Sequence, residues 1–293
     1  MTILLLGRAL LGRAESYIIT GAVSWGLALV GARNAGRVIA WIGMAMFAAL
    51  ALGAPIGTAL YAYGGFATVA IAGTIIPLVT LLLVARLSPV PPQQGTRPSV
   101  MTVAAAVWMP GLGSALSSIG LGAMITFGAL LSAQRGWSPI WLLFCTFAIS
   151  LIAARLFFGH LPDRLGGAKV ALACVLIEAT GLALIWLAPD RLTAAAGAAL
   201  AGFGYSLVYP GLGVEAVRLA PPQSRGLAMG AYTVFLDIAL GFGSPALGLI
   251  AGRFGLDTAF LASALIVLGS AAIVLRLLCS TCFEGREQCL MSS

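Results

Sequence analysis

The sequence turns at Gly159-His160-Leu161-Pro162-Asp163-Arg164-Leu165-Gly166-Gly167-Ala168-Lys169, between apolar runs at 138–158 and 170–188. Each run is long enough to cross a bilayer as a helix, which takes about 17–25 residues. A turn this short makes the two helices antiparallel neighbours. Its charged side chains are costly in hydrocarbon, so the turn marks one face of a membrane.

The composition indicates that the whole chain lies in a membrane. Of its 293 residues, 60% are hydrophobic and 9% are charged, whereas a soluble domain has about 25% charged residues. Its 37 glycines suit helices that pack closely in lipid. The net charge of +7 would favour nucleic-acid binding in a soluble protein, but here basic residues lie at the ends of apolar segments, where membrane topology uses them. We therefore expect an all-α integral membrane protein that does not bind nucleic acid.

Nine apolar segments predict membrane spans, at about 2–30, 36–60, 66–87, 101–131, 138–158, 169–188, 192–217, 226–251 and 256–278. If the turn at 159–169 is cytoplasmic, alternation assigns every other loop. The cytoplasmic face then holds Arg33, Arg37, Arg86, Arg97, Arg155, Arg164, Lys169, Arg218, Arg225, Arg276 and Arg286, and the opposite face holds Arg135, Arg191 and Arg253. This positive-inside asymmetry predicts a multi-pass protein of the plasma membrane, the inner membrane in a bacterium, with a cytoplasmic C-terminus.

The turn resembles the signature loop of the Major Facilitator Superfamily of secondary transporters, which reads Gly-x-Leu-x-Asp-Arg-x-Gly before a basic residue. The match covers Gly159, Leu161, Asp163, Arg164, Gly166 and Lys169, while Pro162 replaces the usual small residue. In the superfamily this loop lies on the cytoplasmic side, between the second and third helix of each six-helix half. The resemblance implies a Major Facilitator-type fold in which Asp163 and Arg164 hold a cytoplasmic gate. We call residues 159–169 the gating loop.

A proline-rich break at 88–100 divides the chain. Four prolines between Ser88 and Ser99 prevent a helix there and favour an extended connector. The resemblance makes this connector the cytoplasmic loop between two transporter halves. Residues 101–278 are then expected to form a six-helix bundle, residues 1–87 part of the preceding bundle, and residues 279–293 a disordered cytoplasmic tail.

Internal similarity relates the two parts of the chain. A shift of 190 residues aligns Gly53 with Gly243 and Pro55 with Pro245, and structural repeats are the usual construction of such transporters. Residues 1–87 therefore correspond to helices four to six of a twelve-helix protein. We expect about nine of the twelve helices, with the first three absent from this chain.

Arg8 and Glu15 are coupling candidates in the first segment. With Gly12 they occupy positions i, i+4 and i+7, on one face of a helix, and ionisable residues inside a span are functional hypotheses. The spacing of Arg8 and Gly12 also resembles the fourth-helix motif of the superfamily, which would place Arg8 near the proton or substrate path. The alternative is a structural Arg8–Glu15 pair.

Asp237 and Glu178 are isolated carboxyl groups in the middle of apolar segments. Burial disfavours the charged form of a carboxyl group, which suits a proton carrier; the alternative is a neutral acid that is hydrogen-bonded between helices. Glu215 has Arg218 three residues on and is expected to form a surface pair with it. Trp25, Trp108, Tyr205 and Tyr209 are aromatic candidates for a cavity, with packing as the alternative.

Gly53, Pro55 and Gly57 resemble the fifth-helix Gly-Pro motif that the superfamily associates with export by antiport. A proline inside a span removes a backbone hydrogen bond and bends the helix. The repeat at Gly243 and Pro245 favours an alternative in which both segments are packing kinks.

Catalytic and metal sites are not expected. The one histidine, His160, lies in the gating loop, and Cys279 and Cys282 form a Cys-x-x-Cys pair without the second pair or histidine that a zinc site needs. We expect no enzyme activity and no cofactor, and a monomeric transporter that exports a small organic molecule by proton-coupled alternating access. The alternative is an N-terminally truncated, inactive fragment or a membrane interaction protein.

Overall fold

The computed structural model describes residues 35–86, 100–220 and 225–291, with short stretches at 6–7, 10–15, 17–18, 21–22 and 25–26. The elements of these ranges are helices, which confirms the all-α prediction for the described residues. They are α1 (Ala35–Val84), α2 (Val100–Gln134), α3 (Leu142–Phe158), α4 (Leu161–Leu165), α5 (Gly167–Leu187), α6 (Arg191–Leu219), α7 (Arg225–Phe254) and α8 (Leu256–Met291).

Six of the described helices are long and apolar enough to cross a membrane, at Trp41–Val84, Met101–Gln134, Gly167–Leu187, Arg191–Leu219, Leu227–Phe254 and Leu256–Cys279. The 17-residue α3 is a shorter apolar helix. These helices correspond to the second through ninth predicted segments. Most of the first predicted segment lies outside the described residues.

α1 contains two of the predicted segments in one 50-residue helix. Its backbone leaves helical geometry at Gly64 (φ −145°, ψ 20°) and Gly65 (φ 65°, ψ −159°). The positive φ of Gly65 favours glycine because a Cβ would make this conformation costly. A straight helix of this length would reach about 75 Å, against a hydrocarbon core of about 30 Å. The break therefore divides α1 into two pieces, each of membrane-spanning length.

The chain forms two compact units, residues 1–95 and 96–293, and the boundary falls within the predicted connector. In the second unit α2 contacts α3, α5, α6, α7 and α8, and α6 contacts α2, α3, α4, α5 and α7. Val107, Ala123 and Met124 of α2 are fully buried. α2 and α6 are thus the two central helices of this unit, and their side chains shape its interior.

A seam of small residues joins α5 to α6. The helices approach each other at three levels: Gly167 with Gly211, Cys174 with Gly204, and Gly181 with Gly197. Successive levels are seven residues apart on both helices, so the contacts stay on one face of each helix. A Cβ at Gly204 would lie 2.5 Å from the carbonyl oxygen of Cys174. The two backbones touch, which glycine allows where helices pack in lipid.

Asp190 caps the start of α6. Its carboxylate accepts hydrogen bonds from the backbone N–H groups of Leu192 at 2.8 Å and Thr193 at 3.0 Å, and from the Thr193 hydroxyl at 2.8 Å. The Thr193 bonds, and then that of Leu192, lower the pKa of Asp190 because they favour its charged form. This carboxylate satisfies backbone donors that a helix start leaves unpaired.

α8 continues to Met291, beyond the predicted end of the last span at residue 278. No proline interrupts 256–291, and the polar end contains Glu, Arg and Gln, which favour helix. The membrane-spanning part of α8 ends at Cys279. The change in composition thus marks the end of the span but not the end of the helix.

Candidate functional site

The gating loop joins α3 to α5 through the short α4. Its first turn is closed by a hydrogen bond from the N–H of Gly159 to the carbonyl of Arg155, at 3.0 Å. Its second turn is Gly166, whose φ of 95° favours glycine, and α5 begins at the next residue. A glycine therefore stands at each of the two turns, Gly159 after α3 and Gly166 before α5.

The charged side chains of the gating loop have different positions. His160, Arg164 and Lys169 are exposed. Asp163 lies in α4, and its side chain is outside the described part of the structure. The role of Asp163 and Arg164 in a gate therefore stays a prediction.

Glu215 attaches the gating loop to α6. Its Oε1 accepts a hydrogen bond from the N–H of Ala168, in the first turn of α5, at 3.2 Å. Its Oε2 lies 3.5 Å from the guanidinium of Arg218, whose side chain is 66% exposed. The N-terminal end of a helix favours a carboxylate. The expected pair with Arg218 exists, but Glu215 itself is only 5% exposed, so it is a buried link between two helices.

Glu178 lies in the middle of α5 and is completely buried. The hydroxyl of Ser117, on α2, donates a hydrogen bond to Oε2 at 2.5 Å. Oε1 has no hydrogen-bond partner among the described residues, and no basic side chain in those ranges forms an ion pair with Glu178. An ionised carboxylate here would lack the compensation that a buried charge needs.

Glycines make room for this carboxyl group. A Cβ at Gly120 of α2 would lie 2.5 Å from Oε1 of Glu178, and a Cβ at Gly204 of α6 would lie 2.4 Å from its backbone nitrogen. Val267 of α8 closes the same space, 3.4 Å from the Cβ position at Gly120. The carboxyl group therefore occupies a junction of α2, α5, α6 and α8.

Arg155 is a partly buried charge that was not among the predicted site residues. It lies in the last turn of α3, and its guanidinium donates to the carbonyl oxygen of Ser206 on α6, at 3.3 Å from Nε and 3.0 Å from Nη2. It also lies near Tyr205 and Tyr209. Its predicted place at the cytoplasmic face stays a prediction, and its side chain packs against α6. A basic residue one turn before Gly159, inside an apolar run, was the available signal.

Tyr205 and Tyr209 lie one turn apart on α6 and reach α2 and α7. The hydroxyl of Tyr205 lies 3.4 Å from that of Ser118, on α2. The hydroxyl of Tyr209 lies 3.0 Å from that of Thr233, on α7. Tyr232 donates to the carbonyl oxygen of Tyr209 at 2.8 Å. These contacts hold α6 against both neighbours through hydroxyl groups.

The tyrosine pair lies between the two predicted carboxyl groups. Tyr205 is near Glu178 and Arg155, while Tyr209 is near Asp237 and Arg155. Asp237 is exposed on the surface of the unit, unlike Glu178. The structure thus brings both candidates and Arg155 into one polar region.

The remaining coupling and helix-kink candidates belong to the first unit or, for Gly243 and Pro245, to α7. Arg8 lies outside the described residues and Glu15 is exposed. Gly53 and Gly57 have no described neighbour that a Cβ would meet within 4 Å, whereas a Cβ at Gly243 would collide with the Ile119 side chain. Within the described ranges, no group of three His, Cys, Asp or Glu residues could hold a metal ion.

Comparison with known proteins finds one family model and several relatives that are named as transporters of the same family. Residues 111–281 match the family model described as Major Facilitator Superfamily. An uncharacterized MFS-type transporter of Salmonella typhimurium is 42% identical over 272 residues, which are 93% of this chain and 70% of the relative. Uncharacterized MFS-type transporters of Burkholderia pseudomallei and Burkholderia mallei are each 41% identical, over 284 and 282 residues. They cover 93% and 92% of this chain and 67% of each relative.

Proposed function

Because the chain belongs to the Major Facilitator Superfamily, we propose that it exports a small organic molecule by proton-coupled alternating access. As a member it is a multi-pass membrane transport protein and not an enzyme, with a lipid bilayer around it and a small molecule as its substrate. Proton coupling and the direction of transport depend on the particular residues of this chain.

The observation that carries proton coupling is the burial of Glu178. Its side chain has no exposed surface, a single hydrogen-bond donor in Ser117 and one oxygen without a partner in the described structure. Removing a charge from water without compensation costs far more than burying the neutral acid. The packed arrangement therefore favours a protonated Glu178, and losing the proton would require a different arrangement. A proton-coupled carrier needs such a link between the protonation state of a residue and the arrangement of its helices.

Other residues support parts of the proposal. Asp237, on the surface of the unit, is the second proton site that we propose, and Arg8 and Glu15 are candidates in the first segment. The Gly53–Gly57 segment favours export through its likeness to the antiport motif. We further propose that the gating loop lies on the cytoplasmic side with the C-terminus, and that the transporter acts as a monomer.

Reconstituted protein tests this function. Liposomes would carry a pH-sensitive dye in the lumen and receive, one at a time, glucose, lysine, tetraphenylphosphonium and benzoate. We expect at least one class of compound to cross with counter-movement of protons, and Glu178→Gln to abolish the proton movement. Ser132→Ala is the matched control, because Ser132 is a buried serine of α2 whose hydroxyl bonds to Gly128 of its own helix. Solute movement without proton movement, unchanged in Glu178→Gln, would contradict the proposal.

A further inference from the structure

The buried carboxyl site is built by two helices. α5 contributes Glu178, while α2 contributes the donor hydroxyl of Ser117 and the space at Gly120, where a Cβ would lie 2.5 Å from Oε1. Both Ser117 and Glu178 have no exposed surface. Whatever changes the charge of Glu178 therefore changes the contact between α2 and α5.

The surroundings contain few groups that could stabilise a charge on Glu178. The titratable groups near Glu178 among the described residues are Cys174 of α5 and Tyr205 of α6, neither of which is cationic. α2 faces it with Ser117, and α8 contributes the apolar Val267.

Lys169, in the first turn of α5, is about 14 Å from Glu178 along the helix. Arg155 of α3 is the basic residue in the same polar region, and its guanidinium donates to the carbonyl oxygen of Ser206 rather than to Glu178. In this packed arrangement no described group donates to the second oxygen of Glu178, so water is the source of stabilisation that we invoke for the ionised form.

The contacts of α5 on its two sides differ. Towards α6, at the level of Glu178, the backbones of the two helices touch at Gly204, so that contact has no side chain that can rotate away. Towards α2, at the level of Glu178, the contact consists of the carboxyl group, one hydroxyl and one glycine. If water must enter, the α2 side offers the contact that can open.

We propose that the proton on Glu178 holds α2 against α5, and that Ser117 is the positioning residue through which α2 responds to loss of that proton. The inference deepens the proposed function, on which it rests, by naming the helix contact through which proton binding acts. When Glu178 ionises, α2 moves away from α5 and water enters. When the proton returns, the contact closes.

Two native cysteines can report this opening. Cys174 lies on α5 one turn before Glu178, and Cys145 lies on α3; both are buried. The reagent would be N-ethylmaleimide, applied to the protein in liposomes at a series of pH values, with modification at each cysteine measured by mass spectrometry. Thiol reactivity rises with pH because the thiolate reacts, so the Cys174-to-Cys145 ratio is compared between wild type and Glu178→Gln.

We expect the ratio to rise with pH in the wild type and to stay flat in Glu178→Gln. Repulsion from an ionised Glu178 would disfavour a Cys174 thiolate, so a rise reports access rather than electrostatics. Ser117→Ala is expected to shift the proton concentration at which the ratio rises by about tenfold. Ser117→Thr and the control Ser132→Ala are expected to leave that proton concentration unchanged. Identical profiles in wild type and Glu178→Gln would overturn the proposal even if Ser117→Ala failed to fold. An unchanged profile in a folded Ser117→Ala would overturn the role of Ser117.

The alkylation assay needs no substrate, so its result is separable from transport. If Glu178→Gln abolishes proton movement but keeps the wild-type alkylation profile, the proposed function survives and this inference fails. If the alkylation profile depends on Glu178 but solute moves without protons, the proposed coupling fails while the proton-dependent contact remains.

Discussion

Replacement of Gly204 by alanine is expected to separate α5 from α6. The new Cβ would lie 2.4 Å from the backbone nitrogen of Glu178, 2.5 Å from the carbonyl oxygen of Cys174 and 2.8 Å from the Cα of Glu178. These distances are about 1 Å short of ordinary van der Waals contact. All three neighbours are backbone atoms that cannot rotate away, so the helices themselves must move apart.

The expected cost follows from two opposing terms. Overpacking a close contact costs about 1–3 kcal/mol, and a clash with backbone belongs at the upper end of that range. Alanine recovers up to about 1 kcal/mol because it favours helix over glycine. The net loss of stability is therefore about 2 kcal/mol, which corresponds to a fall in Tm of about 4–8 °C for a domain of this size.

Gly213→Ala is the matched control on the same helix. Its Cβ would lie 3.7 Å from Met229 Cε and 3.7 Å from Tyr232 Cε1, which is ordinary contact, so the helix gain remains and Tm should hold or rise slightly. Both variants and the wild type would be compared by scanning fluorimetry in one detergent. If Gly204→Ala is as stable as Gly213→Ala, the backbone seam is not a stabilising contact and the reasoning fails.

Two further variants test the ends of helices. Asp190→Ala should lower Tm at neutral pH. Because the pKa of Asp190 is lowered in the folded protein, its stabilisation is present above the unfolded pKa of about 3.9 and is lost as pH falls through the folded pKa. The difference in Tm between Asp190→Ala and wild type should therefore disappear in acid. A difference that stays constant with pH would argue against a charged cap. Glu215→Ala should speed hydrogen exchange in the gating loop and lower stability by about 1–2 kcal/mol, with Glu215→Gln closer to wild type; equal exchange in all three proteins would exclude the anchoring role.

The spans could be predicted from sequence because each depends on a continuous apolar run. The interval between the segments at 36–60 and 66–87 even contains the break at Gly64 and Gly65. The end of α8 could not be predicted by the same rule. Loss of apolar residues after Leu278 ends a span, but helix formation depends on propensity and the absence of proline, so α8 continues to Met291.

The candidate site was only partly accessible from sequence. Glu178 is conspicuous because a carboxyl group stands alone in an apolar run. Its donor Ser117 is 61 residues away, the partner of Arg155 is 51 residues away and the partner of Glu215 is 47 residues away. Such pairings depend on how helices cross, which single-helix patterns do not determine. The seven-residue spacing of small residues on α5 and α6 was a usable signal, because it repeats on two neighbouring segments.

The seam and the carboxyl site together determine which helix is free to move. Gly204 belongs to both, since it allows α6 to touch the backbone of α5 at the level of Glu178. A backbone contact of this kind has no alternative rotamers, so α5 and α6 are expected to move as one body. α2 meets that body at this level through Ser117 and Gly120, where a single proton decides whether a charge is buried. Because the seam keeps α5 and α6 together, we expect ionisation of Glu178 to displace α2 rather than to separate α5 from α6.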